Sequence, residues 1–326
     1  MKKLLMMLMA ALAIGGCSDT GAGKPEQDAD AAQTGTETQA TGAKGGAFEA
    51  GGPENDQTSD AGSEGTGTQE PEQQEKAPDK RLPLLDTTKL ENTYGFADKT
   101  GKYILSFENM DVADLDKAIG KDGRPLNIKF VKKQPQGSRD DGSQSANNFN
   151  NVQGLLYEVV GGNAQPNETY YLVNSDNFNV ASLLQVKPEV KEGADVAVKK
   201  KIEETKAQKI DKIWKMASIA PERDVYLVQF QKQGKKITAS LVLVEGEGIA
   251  SKDFTADYDP ISTWRVDDGG EIVPEMFSFL FAASSPEGIV LGVAWAGAEG
   301  ENGYIFKQSG NELVDLNITA GRYMSY

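Results

Sequence analysis

Residues 18–82 contain no Val, Ile, Met, Trp, Tyr or Cys, and Phe48 and Leu82 are their only apolar side chains larger than Ala apart from the prolines. Ordering a backbone costs roughly 1–2 kcal/mol per residue, and burial of apolar surface is the main term that offsets it. A segment of Gly, Ala, Thr, Gln, Asp and Glu has almost nothing to bury, so it is expected to remain a disordered tether. Any core must then come from residues 83–326. The tether carries 14 acidic and 5 basic residues, a net of −9. Self-repulsion extends it beyond the roughly 40–48 Å of a neutral flexible chain of that length, which suits a spacer.

Upstream, Met1-Lys2-Lys3 leads into an apolar run over residues 4–14 and then Gly15-Gly16-Cys17. Positive charge, a short apolar stretch and small residues before a cut are the pattern of a secretory signal peptide. The run falls well short of the roughly 17–25 residues of a spanning helix. Ile14-Gly15-Gly16-Cys17 resembles the lipobox of bacterial lipoproteins, with Ile and Gly where Leu and Ala or Ser are commoner. The resemblance covers about the first 20 residues. It implies a signal peptide over 1–16, acyl chains of the palmitate type on Cys17, and a mature protein on the extracytoplasmic face of the cell membrane. Cys17 is the only cysteine in the chain, so no intramolecular disulfide can form despite export. Two acyl chains, at about 0.8 kcal/mol per buried CH₂, suffice to hold a soluble body at a bilayer.

Residues 83–326 read as an α+β body: strand-dominated antiparallel sheets with one or two short helices. A subdomain boundary is expected between 83–190 and 191–326. A hairpin opens it, Tyr94-Gly95-Phe96-Ala97 and Lys102-Tyr103-Ile104-Leu105 around Asp98-Lys99-Thr100-Gly101. The motif resembles a single copy of the WG-type repeats of some bacterial surface proteins, with Tyr94 where Trp is usual and an echo over 263–273, but two such distant hairpins make no array and read as convergent turns. Helical spacing predicts short helices over 111–119 and 195–206. Alternation predicts strands over 126–131, 155–160, 169–174, 210–219, 224–232 and 236–244. Further strands are expected over 254–258, 262–266, 276–283, 288–295, 303–307 and 312–316, with turns at 300–302 and 309–311. The polar stretch 134–153 is long for a loop in a compact domain, so it reads as mobile or ligand-binding. Long helices alternating with buried strands are missing, which disfavours the two α/β lobes of a solute-binding lipoprotein.

The chain holds no histidine, which removes Ser-His-Asp and Cys-His nucleophilic machinery. With Cys17 committed to lipid it also leaves little from which to build a zinc site. No phosphate-cradling glycine motif occurs, so no cofactor is called for. Carboxylate chemistry stays open, as a glycosidase needs two acids some 5–9 Å apart across a cleft. Asp267, Asp268, Glu271, Glu299 and Glu301 are the acids near turns. Trp214, Trp264 and Trp295 each lie in strand-like segments and read as core rather than sugar platforms.

With +2 on residues 1–17 and −9 on 18–82, the −15 of the whole chain leaves −8 on 83–326. That acidity argues against a nucleic-acid partner. Residues 199–236 run against it, with eleven basic and five acidic side chains. Lys199, Lys200, Lys201, Lys206, Lys235 and Lys236 are candidate contacts to an anionic wall polymer, lipid headgroups or an acidic protein partner, unless they form a solvated helix face and a lysine-protected strand edge. The sequence thus suggests a membrane-anchored binding or interaction module rather than an enzyme. A carboxylate-dependent wall-glycan hydrolase and a solute-binding lipoprotein are the alternatives.

Overall fold

The structure, a computed structural model, describes residues 83–107, 113–262 and 265–324. The signal peptide, Cys17, the tether and Trp264 lie outside the described residues.

Six antiparallel strands close a barrel. They are β1 (Tyr94–Ala97), β2 (Tyr103–Ser106), β3 (Lys117–Ile119), β4 (Pro125–Gln134), β5 (Gly154–Val160) and β6 (Thr169–Val173), in the order β1-β2-β5-β4-β3-β6. The β1–β2 turn follows the chemistry expected of it. The Asp98 side chain accepts from the Lys102 and Tyr103 amides and from Thr100 Oγ1. Gly101 takes φ +68° against Ala164, whose carbonyl oxygen would lie 2.0 Å from any added Cβ. The barrel interior is Ile104, Ala118, Ile128, Tyr157, Val159 and Leu172, among others.

The helix expected over 111–119 is a correction. Its described part contains β3, with Ala118 and Ile119 buried. A helix this short is marginal alone, whereas β3 pairs with β4 on one side and β6 on the other and so closes the barrel. The polar stretch 134–153 is also more than a loose loop. Gln134 Nε2 donates to the Phe149 and Val152 carbonyls at 2.8 Å each. Phe149 and Val152 then pack on Phe96, Leu105 and Leu156.

The rest of the chain builds one nine-stranded sheet. Its members are β7 (Val186–Glu192), β8 (Ile210–Ile219), β9 (Arg223–Phe230), β10 (Lys236–Glu245), β11 (Gly248–Asp257), β12 (Phe277–Ser285), β13 (Gly288–Ala296), β14 (Gly300–Ser309) and β15 (Glu312–Tyr323). The order is β12-β13-β14-β15-β11-β10-β9-β8-β7, antiparallel except for one parallel bridge, Ser251 to Glu312. The sheet curls until its ends meet: Leu184 N donates to Ala282 O at 2.8 Å, and Leu183 bridges Ala283. One core cluster therefore draws on all nine strands, from Val186 through Leu227, Leu241 and Ala250 to Phe279, Leu291, Phe306 and Leu313.

The outer face of this sheet is covered twice. The helix α1 (Val196–Lys206) lays Ile202 over Tyr226, Val228, Phe230 and Val242. The barrel covers β12–β15, where Tyr94, Tyr171 and Phe178 meet Phe281, Val290, Ala294 and Ile305. Phe281 stacks on Tyr171 with centroids 5.6 Å apart and meets Phe178 edge-on at 5.5 Å. Strands buried on both faces read as continuous apolar runs rather than alternations, as β12 and β13 do.

The strand-dominated, antiparallel part of the expected class is what is seen. With 51% of the described residues in strands and 11% in helix, the body is closer to mostly-β than to α+β. β7 escaped the sequence reading because Pro188 interrupts it. Proline is tolerated there because β7 is an edge strand with a bulge between Pro188 and Lys191. The turn expected at 300–302 lies inside β14, the chain reversing instead where Gly297 N donates to Gly300 O at 2.7 Å. Where a strand was expected over 262–266, the described part ends in a 3₁₀ turn at Val266–Asp268. The change from barrel to sheet falls between β6 and β7.

Candidate functional site

The lysines singled out in the sequence sit on α1 and at the start of β10. Lys201 Nζ lies 2.8 Å from Glu247, and Lys206 Nζ lies 2.7 Å from both Asp253 oxygens and 3.2 Å from Ser251 Oγ. Lys236 pairs with Asp257 at 2.8 Å, and Lys200 with Glu204 at 3.7 Å along the helix. Lys199 and Lys235 form no ion pair among the described residues. Lys209, Lys212, Lys215, Arg223 and Lys232 pair with Glu203, Glu271, Asp224, Glu245 and Glu271. Nine of the eleven basic side chains of 199–236 are thus paired, and six of the acids, Glu189, Glu245, Glu247, Asp253, Asp257 and Glu271, come from beyond that window. Exposed pairs of this kind contribute little stability each, but they cancel the local charge. Hydrogen bonds from Lys212 to Glu271 and from Lys201 to Glu247 hold both carboxyls below their ordinary range.

The acids named from the sequence divide in two. Asp267 takes two hydrogen bonds from Arg265, at Nε (2.8 Å) and at Nη2, while Glu271 lies 2.5 Å from Lys212 Nζ. Both are occupied. Asp268, Glu299 and Glu301 instead line a single cleft of about 430 Å³ beside the β13–β14 hairpin, together with Arg265, Asn302 and Arg322. Its volume falls in the range of small-ligand sites, about 300–1,000 Å³. Glu301 Oε1 is buried there without a hydrogen-bond partner among the described residues.

Both arginines are almost wholly buried, at 6% and 3% exposure. Arg265 lies with its guanidinium carbon 4.4 Å from the Trp295 ring centroid, and it donates to Asn302 Oδ1 at 2.8 Å and Tyr304 Oη at 2.9 Å. Its pKa is raised. Burial opposes the charge, and the Asp267 and Tyr304 hydrogen bonds outweigh that burial. Arg322 ties β15 to the barrel, donating to the Gln144 carbonyl at 2.6 Å, the Asn167 carbonyl at 2.7 Å and Asn167 Oδ1 at 2.6 Å. These bonds commit both guanidinium groups to holding segments together.

Asp267 offsets the Arg265 charge, Arg322 donates to neutral acceptors, and Asp268, Glu299 and Glu301 add three carboxylates. The cleft holds acids capable of accepting hydrogen bonds or protons and lacks an imidazole. Among the described residues no group of three or more Asp, Glu or Cys side chains is placed to hold a metal. Trp295 is buried in the core and Trp214 is half-buried against it, so neither offers an open stacking face. Arg265, Asn302 and Arg322 carried no signal in the sequence, because residues so far apart in the chain meet only through the sheet register. No family model, no curated protein and no solved structure matches this chain.

Proposed function

We propose that this protein is an extracytoplasmic lipoprotein, held on the outer face of the cell membrane by acyl chains on Cys17, whose folded body is a binding module. The observation that carries the reading is the lone cysteine of the chain, placed directly after Ile14-Gly15-Gly16 and a short apolar run. The lack of histidine and the engagement of Asp267 and Glu271 in ion pairs support binding over catalysis.

Intact-mass analysis of protein isolated from its own membranes tests it. The expected mass begins at Cys17 and includes a diacylglyceryl group, and Cys17→Ser moves the protein from the detergent phase to the aqueous phase. A free Cys17 thiol in that material overturns the reading.

One observation favours a second reading, a carboxylate-dependent hydrolase of wall glycans: Asp268, Glu299 and Glu301 share a cleft. Glycan-cleaving activity that is present in the parent chain and lost in Glu299→Gln or Glu301→Gln would establish it. Equal, background-level release by parent and variants would end it.

A further inference from the structure

Among the described residues, three lysines without ion pairs stand within five positions of one another on β4, the strand expected over 126–131. Residues 124–141 hold five basic side chains (Arg124, Lys129, Lys132, Lys133 and Arg139) against Asp140 and Asp141. Both aspartates are engaged within their loop, Asp140 with Asn148 and the Gly142 amide, Asp141 with Ser143. Lys129, Lys132 and Lys133 form no ion pair among the described residues. Glu158 stands opposite Lys129 in the β4–β5 register and forms none with it.

The same strand leaves apolar side chains partly in water: Phe130 meets Tyr157 edge-on with centroids 5.9 Å apart yet stays exposed, as does Val131. β4 runs past its neighbour: β3 pairs with it as far as Asn127, Ile128 N still donates to Asp116 O, and beyond that only β5 is paired to β4 among the described residues. A bulge between Phe130 and Lys132 then breaks the alternation. Lys129, Phe130, Val131, Lys132 and Lys133 are consequently exposed in succession, Phe130 at 38% and Val131 at 46%. Lysines on an open strand edge guard against strand-to-strand aggregation. That protection accounts for the lysines. It gives no reason to hold Phe130 and Val131 out of the core, where each would contribute about 1.5–3 kcal/mol.

We infer that Lys129–Lys133 of β4 is a contact for an anionic lipid surface. Lysines reach phosphate headgroups while their stems and neighbouring apolar side chains enter the acyl boundary. A soluble polyanion would satisfy the lysines but give Phe130 and Val131 nothing to bury in. The inference rests on the lipoprotein reading in one respect: an anchor at Cys17 brings the body within a tether's length of a bilayer.

The lone native cysteine makes a direct test available. When Cys17 is acylated, Val131→Cys supplies the single free thiol of the full chain, and an environment-sensitive fluorophore there reports immersion. The protein is reconstituted in phosphatidylglycerol vesicles and in phosphatidylcholine vesicles, each with and without brominated acyl chains. The expected result is a blue-shifted emission, quenched by bromine, in the anionic vesicles alone, with no response from a Val314→Cys control on β15. Replacing Lys129, Lys132 and Lys133 by Gln lowers the docked-to-undocked ratio about fivefold per lysine, while Lys199→Gln with Lys235→Gln leaves it unchanged. Absence of a shift at 131, an equal shift in neutral vesicles, or a shift that survives the triple Gln variant overturns the inference. Protection of the 131 label by soluble poly(glycerol phosphate) without lipid quenching also overturns it and assigns the strand to a wall polymer. The mass of the same sample reports acylation at Cys17 separately. Should Cys17 be free, the Cys17→Ser, Val131→Cys chain puts the same question to the vesicles.

Discussion

Residues 199–236 carry eleven basic side chains and residues 124–141 carry five, yet the richer stretch presents less free charge. Around α1 and β8–β10 the sheet register brings in Glu189, Glu245, Glu247, Asp253, Asp257 and Glu271 from elsewhere in the chain, and nine of the eleven are paired. On β4 the neighbour strand supplies only Glu158, and the lysines stay open. Counting charges along a sequence window measures composition. The field at a surface depends on which strands lie side by side.

The contrast is broken most severely by detaching α1, which carries four of the eleven basic side chains of the first region. Ile202 is fully buried beneath Val242 and Phe230, so Ile202→Ala should cost about 2–5 kcal/mol in urea unfolding. A cost under about 1 kcal/mol would mean that the helix is held by something other than its apolar face.

Acid reaches the paired region through Glu271. The Glu271 carboxyl lies below its ordinary value of 4.5, chiefly through the Lys212 hydrogen bond. Its stabilising contribution is therefore complete above that ordinary value and is lost as pH falls through the lower, folded-state value. Glu271→Gln should remove up to about 1 kcal/mol at neutral pH, discounted for exposure, and should flatten the acid limb of stability against pH. An unchanged acid limb in the variant would show that Glu271 is unpaired in solution.

The smallest effect is expected on β4. Replacing Lys132 and Lys133 by Gln should shift stability by no more than about 0.5 kcal/mol, since neither makes an ion pair. A thermal-melt change well beyond that would give these lysines a structural role and weaken their assignment to lipid.

Much of the body was legible residue by residue. The face of β9 carrying Tyr226, Val228 and Phe230, and the face of β10 carrying Ile237, Ala239, Leu241 and Leu243, were both readable from period-two alternation. That the first set meets a helix while the second meets the sheet's own core was not, because alternation sorts side chains to faces without naming what covers each face. Asp98 and Gly101 marked their turn because turn chemistry is local. The strand β3 was misread because its stability comes from β4 and β6, both distant in sequence. The candidate cleft was half visible, its acids standing near turns and its arginines without any mark.

The sequence by itself left residues 18–82 with almost nothing to bury, and it excluded imidazole chemistry by composition. It also fixed the strand periodicity and the tight turns, since both depend on neighbours a few residues away. Tertiary structure alone decided that six strands close into a barrel, that nine more curl around a second core, and which lysines meet a carboxylate. Those outcomes depend on pairings between residues tens to hundreds of positions apart, whose free energy appears only once the chain has brought them together.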